Sequence, residues 1–156
     1  MHELILLRHA EALSAHDDGD QSRALSERGR HEAQAAGSWL AKHGVRPQRA
    51  LSSPAQRATE TAQLALAALA TAPALQTVGE IYEATPGELL ALLDQHMEAG
   101  SVLLVGHNPG IERLVALLVE GRSDEFRGMP PAGLAVLHLN GSLEPASARL
   151  DAFWSP

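Results

Sequence analysis

The spacing of apolar and polar positions changes repeatedly along the chain, and each change marks an element. "LILL", Leu4 to Leu7, is apolar on both alternating sides, as expected of a strand in a parallel sheet covered by helices above and below. "SVLLVG" repeats the theme at Val102 to Val105. Between them, "SERGRHEAQAAGSWLAKHG" opens on Ser26 as an N-cap, sets Ala33, Ala36 and Leu40 at helical spacing, and stops at Gly44. "RALSSPAQRATETAQLALAALA" holds a very short apolar element at Ala50 and Leu51. It then predicts a helix capped by Ser53, with Pro54 at the first position, Gln56 completing a capping box, and an end before Pro73. Two more amphipathic helices are expected, one from Pro86 to Ala99, the other with Asn108 as cap, Pro109 in its first turn and Gly121 at its end.

The rest of the chain reads differently. "RSDEFRGMPPAG" is polar and proline-bearing, so it is assigned to a loop. "GLAVLHLN" and "ARLDAFW" read as two strands joined through a tight turn at Asn140 and Gly141, finishing the sheet antiparallel at one edge. "AHDDGDQS" is polar enough for a mobile loop, and there is no internal repeat or linker. Strands alternating with helices predict an α/β fold, a three-layer α/β/α sandwich whose central sheet is mostly parallel.

Composition narrows the chemistry. A chain of 156 residues suits one domain, expected to span 1–156, and 45% hydrophobic with 3% aromatic residues implies an aliphatic core. The absence of cysteine excludes a disulfide scaffold, a cysteine nucleophile and thiolate metal sites. A net charge of -7 argues against a nucleic-acid partner, and no segment has the apolar length of a membrane span or the pattern of a signal peptide. The expectation is a cytoplasmic protein, monomeric by default. Lys42 is the only lysine, so an anion site here would use the planar forks of arginine.

Ligands of such folds bind beyond the C-terminal ends of the parallel strands. Arg8 and His9 follow the first strand, His107 follows "SVLLVG", and Arg57 lies in the first turn of the helix after "ALSSP". Any one of them alone reads as a hydrogen-bonding loop residue or an exposed helix residue. Two arginines and two histidines on one rim, with two helix N-termini aimed the same way, read instead as an anion site.

"LLRHAEA", "ALSSPAQRATETA" and "VLLVGHNPGI", in that order, resemble the histidine phosphatase superfamily, the group related to phosphoglycerate mutases. The resemblance covers nearly the whole chain. It implies a phosphoglycerate-mutase-like fold in which His9 is a nucleophile forming a phosphohistidine, while Arg8, Arg57 and His107 stabilise the equatorial oxygens. On this reading His9 presents a neutral nitrogen, and His107 becomes a cation once phosphate is bound. "EIYEATPGE" resembles the stretch carrying the family's proton donor, which falls on Glu83, with Glu80 as second choice.

Ser14 and Asn108 are further candidates for substrate binding, as are Glu11 and Arg23 for the phosphate loop, although Asn108 reads first as a helix cap. His2, His16, His31, His43, His96 and His138 have no motif around them. Only 49 residues separate Arg57 from His107, which leaves little for a lid. The short architecture, "RHA" and "PGELLALL" look most like the SixA-type phosphohistidine phosphatases, implying a phosphorylated protein as partner. A small-molecule phosphomonoesterase and a phosphate-binding module without turnover are the alternatives. No cofactor is implied, and a metal site is disfavoured by the arginines beside both histidines and by the absence of a helical i, i+4 histidine pair.

Overall fold

The computed structural model describes residues 1–14, 17–123 and 128–156. His16 and the centre of the loop expected around "SDEFRG" lie outside these residues. The strands are β1 (Glu3–Arg8), β2 (Arg49–Ser52), β3 (Leu75–Thr77), β4 (Ser101–Gly106), β5 (Leu134–Leu139) and β6 (Ala148–Trp154). The helices are α1 (Glu27–Lys42), α2 (Gln56–Ala67), α3 (Pro86–Asp94) and α4 (Gly110–Glu120). One sheet runs in the order β3-β2-β4-β1-β5-β6. Its first four strands are parallel, and β5 and β6 are antiparallel.

Alternation along the strands divides the core in two. Leu4, Leu6, Val102 and Leu104 face a layer built from α3 and α4 residues such as Leu89, Leu93, Ile111 and Leu114. Ile5, Leu7, Leu103 and Val105 face the other side, against Ala36 and Leu40 of α1 and Ala58, Ala62 and Ala65 of α2. The alanine-rich face of α2 lets it approach the sheet closely. β1 lies between β4 and β5 and is buried on both faces, so the residues at its C-terminal end are held by a strand paired on both edges.

Several local expectations change. The helix predicted from Ser53 begins at Gln56 with Ala55 at its N-cap and no side-chain cap. Ser53 accepts a hydrogen bond from the Ala55 N–H, but its hydroxyl is drawn away to a histidine across the cleft. Asn108 does not cap α4, whose N-cap is Pro109, because the Asn108 amide donates to the Met129 carbonyl instead. The capping box of this fold is Thr85 with Glu88, at α3. That helix stops at Asp94, short of Ala99. The β5–β6 connection is an eight-residue loop, 140–147, instead of a tight turn.

Helix α1 is pressed against the chain leaving β1. Ser26 accepts from Gly29 N–H as the cap and donates its own N–H to the Glu11 carbonyl. A Cβ on Gly29 would sit 1.9 Å from the Glu11 carbonyl oxygen, so one side must move. Gly29→Ala is therefore expected to cost about 3 kcal/mol, at the upper end of overpacking penalties. A urea midpoint unchanged from wild type would contradict this packing.

Candidate active site

The backbone at the end of β1 is tied on both sides. His9 donates its N–H to Gly106 of β4 and accepts at its carbonyl from Ala132, while Ala10 donates its N–H to the Thr61 hydroxyl of α2. Ala132 is fully buried with φ of 58°, a conformation that L side chains adopt at a cost, so the His9 carbonyl is met by strained backbone held in place by packing. The His9 ring stands over the C-terminal edge of the sheet, 5.1 Å centroid to centroid from the His107 ring.

Hydrogen bonds fix both tautomers. His9 Nδ1 lies 2.8 Å from the Ala10 carbonyl, which can only accept, so the ring proton is on Nδ1 and Nε2 carries the lone pair. His107 Nδ1 accepts from Arg57 at 3.4 Å, which places the proton on Nε2, 2.8 Å from the Ser53 hydroxyl oxygen. Burial pushes the His9 imidazole down to about 4, helped by the charges of Arg57 and Arg8. Burial likewise lowers His107 to about 3, with His9 and Arg57 adding to it. Both rings are neutral at neutral pH. The cationic His107 expected with bound phosphate requires an anion to offset the arginines.

A cleft of about 530 Å³ gathers Arg8, His9, Arg57, His107 and Asn108. Arg8 donates one guanidinium N–H to the Met129 carbonyl at 2.8 Å, the same oxygen that receives Asn108. The Nε atoms of Arg8 and Arg57 are buried with no hydrogen-bond partner among the described residues. Glu83 also lines the cleft, from the turn before α3, whereas Glu80 does not. Ser14 is exposed and does not line it. Glu11 turns toward Arg28 on α1. Arg23 does line the cleft.

Four further residues were not legible as site residues. Ser53 holds the His107 ring, and Tyr82 meets that ring edge-on at 5.5 Å between centroids. Asp20, from a 3-10 turn at Asp20–Ser22, reaches Arg57. Arg113, one turn into α4, also lines the cleft. Only the clustering of Asp17, Asp18 and Asp20 ahead of Arg23 could have hinted at Asp20.

The family model of the histidine phosphatase superfamily (branch 1) matches residues 4–90. The chain belongs to this superfamily. An uncharacterised Mycobacterium tuberculosis protein, Rv1276c, is 33% identical over 166 residues, covering 96% of this chain and 99% of the relative. Among superfamily structures, a candidate SixA phosphohistidine phosphatase from Agrobacterium tumefaciens superposes with a TM-score of 0.86 at 32% identity, covering 99% of this chain and 98% of that one. The protein histidine phosphatase SixA complexed with tungstate gives a TM-score of 0.86 at 25% identity, covering 99% and 97%. The α/β architecture expected from the sequence is the fold of these relatives. No helix among the described residues is long and apolar enough to cross a membrane.

The neutral histidines have a consequence for stability. An unfolded chain protonates its histidines near 6.5, whereas the folded state holds His9 neutral down to about 4. Folding free energy is therefore undiminished above pH 6.5 and falls as pH drops toward 4. For His9 the fall is about 3 kcal/mol at 1.36 kcal/mol per pH unit, and His107 acts in the same direction. Urea midpoints measured between pH 7 and pH 4 should show a steeper decline for wild type than for His9→Gln, and parallel curves would refute it.

Proposed function

We propose that this protein is a phosphohydrolase working through a phosphohistidine on His9, and that its substrate is a protein phosphohistidine, as for SixA. The observation that carries the reading is the unprotonated Nε2 of His9, standing in a cleft that Arg8, Arg57 and His107 also line. Nε2 attacks phosphorus with its lone pair, the bond from phosphorus to the leaving atom breaks, and that atom keeps the electron pair and takes a proton. Arg8 and Arg57 hold the equatorial oxygens, whose charge grows little while its distribution shifts, so fixed donors suffice. The bound anion raises the tendency of His107 to take a proton at Nδ1 and donate it toward oxygen. Water then hydrolyses the phosphohistidine, regenerating Nε2 and releasing inorganic phosphate. No metal or cofactor enters this scheme.

Glu83 is the proposed proton donor to the leaving group, supported by its place on the cleft wall. A departing imidazole needs that proton less than an alkoxide does. Glu83→Gln should therefore slow a phosphoserine peptide about 100-fold and a phosphohistidine protein less than about 5-fold. Equal losses on both substrates would remove the donor role.

Two observations support a protein substrate. Between Arg57 and His107 the chain forms α2, β3, a 3-10 turn, α3 and β4, leaving no insertion to enclose a small metabolite, so we read 1–156 as one domain without a lid. The neighbour of the same fold that is complexed with tungstate is itself a protein histidine phosphatase. The deciding experiment compares turnover of a phosphohistidine protein, a phosphoserine peptide, para-nitrophenyl phosphate and 3-phosphoglycerate, each against His9→Ala. Preference for 3-phosphoglycerate would transfer the assignment to small phosphoesters, and no turnover of any of the four would leave a binding module.

A further inference from the structure

Arg57 is the most enclosed charge of the cleft, with its side chain 8% exposed, and it is held by a residue that no motif marks. Its NH1 donates to the Asp20 carbonyl at 2.8 Å and its NH2 to Asp20 Oδ2 at 3.0 Å. Each terminal nitrogen of a guanidinium carries two N–H groups, so one remains on each for the cleft, and the one on NH2 is shared with His107 Nδ1. The Asp20 carboxylate is itself braced. Tyr82 donates its hydroxyl to Oδ2, and Arg23 donates to Oδ1 at 3.0 Å. The turn bearing Asp20 buries none of its residues and starts after Gly19 at φ of 101°, so core packing does not account for its position. These polar contacts do.

We propose that Asp20 is the positioning residue of the anion site: its carboxylate and carbonyl hold the Arg57 fork from behind and offset its charge beside His107, with Tyr82 as the strut that keeps the carboxylate there. Two physical reasons support the assignment. A planar fork gripped at both terminal nitrogens by one residue loses its freedom to rotate, so its remaining N–H groups point at a fixed place before substrate arrives. Charge gives the second reason. His107 is faced by His9 and Arg8 from the end of β1, by Arg57 from α2, by Asp20, by the Tyr82 ring and by the Ser53 hydroxyl. His9, Arg8 and Arg57 oppose its protonation, and Asp20 favours it. Asp20 thereby brings the proton on His107 within reach of a bound dianion. The hydrogen bonds from Tyr82, Arg23 and Arg57 hold the Asp20 carboxyl well below the usual carboxylate range, so the charge is present at any working pH.

The kinetic consequence rests on the phosphoryl-transfer reading, whereas the effect on anion affinity does not. The test uses wild type, Asp20→Ala, Asp20→Asn and Tyr82→Phe, with two readouts: the Kd for inorganic phosphate by calorimetry, and the pH profile of kcat and KM for para-nitrophenyl phosphate. Asp20→Ala should weaken phosphate about 10-fold and lower kcat about 100-fold, with KM changing less. Asp20→Asn keeps an acceptor for Arg57, so it should recover about a tenth of wild-type kcat. Having lost the charge, it should also move the alkaline limb of the kcat profile to lower pH. Tyr82→Phe should act in the same direction by about 3-fold.

Tighter phosphate binding by Asp20→Ala would overturn the proposal, since Asp20 would then be a competitor for Arg57. A wild-type pH profile in Asp20→Asn would equally overturn it. Should Asp20→Ala not fold, Tyr82→Phe decides, because unchanged affinity together with an unchanged profile there refutes the strut. Absence of turnover and of any phosphoenzyme in wild type would sink the enzymatic reading, while the phosphate affinities of the four proteins would still decide on Asp20.

Discussion

His9→Gln is expected to abolish turnover, by at least about 10⁴-fold in kcat, while inorganic phosphate still binds within about 10-fold of the wild-type affinity. Glutamine preserves most of the side-chain volume and a polar end, so the cleft keeps its shape, but its amide has no nucleophilic lone pair on nitrogen. The thiol, hydroxyl and second imidazole that could stand in for it are absent or engaged. There is no cysteine, the Ser53 oxygen is committed to His107 Nε2 and the Ala55 N–H, and His107 Nδ1 faces Arg57. Radiolabel from substrate should also disappear from the protein. In wild type that label should be labile to acid and stable to base, the behaviour of a phosphoramidate. Residual turnover above one per cent in His9→Gln would mean that water attacks phosphorus directly, and the covalent scheme would fall.

Arg57→Ala ranks second, with an expected loss of about 10³-fold in kcat/KM and a weakened affinity for phosphate. The effect is large because the guanidinium is buried and fixed, so its donors are already oriented. Its truncation also leaves Asp20 facing the cleft with only Arg23 and Tyr82 as partners, which turns a neutralised carboxylate into one that repels the incoming anion. Arg57→Lys separates charge from shape. A lysine is a point charge on a flexible stem and cannot hold both Asp20 oxygens, so it should restore no more than about a tenth of the lost activity. Near-wild-type kcat/KM in Arg57→Lys would show that only the charge matters.

The strands that carry the site could be read directly because they are buried on both faces. "LILL" and "SVLLVG" admit no polar alternation, and the change to Arg8-His9 and Gly106-His107 marks where each strand reaches the rim. Helix starts were less legible. Ser53-Pro54 and Asn108-Pro109 both match cap patterns, yet both polar side chains are claimed by partners distant in sequence, His107 for Ser53 and Met129 for Asn108. A cap bond yields to such a partner when the competing group is buried and would otherwise be unsatisfied. Asp20 was hidden for a related reason. Its environment is made by Arg57 and Tyr82, 37 and 62 positions away, and a polar loop carries no periodicity to reveal that its carboxylate meets them.

Local pattern determined the order of strands and helices apart from the three-residue β3, the two-sided burial of β1 and β4, and the presence of two arginines and two histidines at strand ends, since hydrophobic period and turn residues act over a few neighbours. Only the tertiary structure decided which nitrogen of each histidine carries the proton, that burial keeps both rings neutral, and that Asp20 stands behind Arg57. Those properties depend on burial and on hydrogen bonds between groups separated by up to a hundred positions, and they exist once the sheet has drawn those groups to one edge.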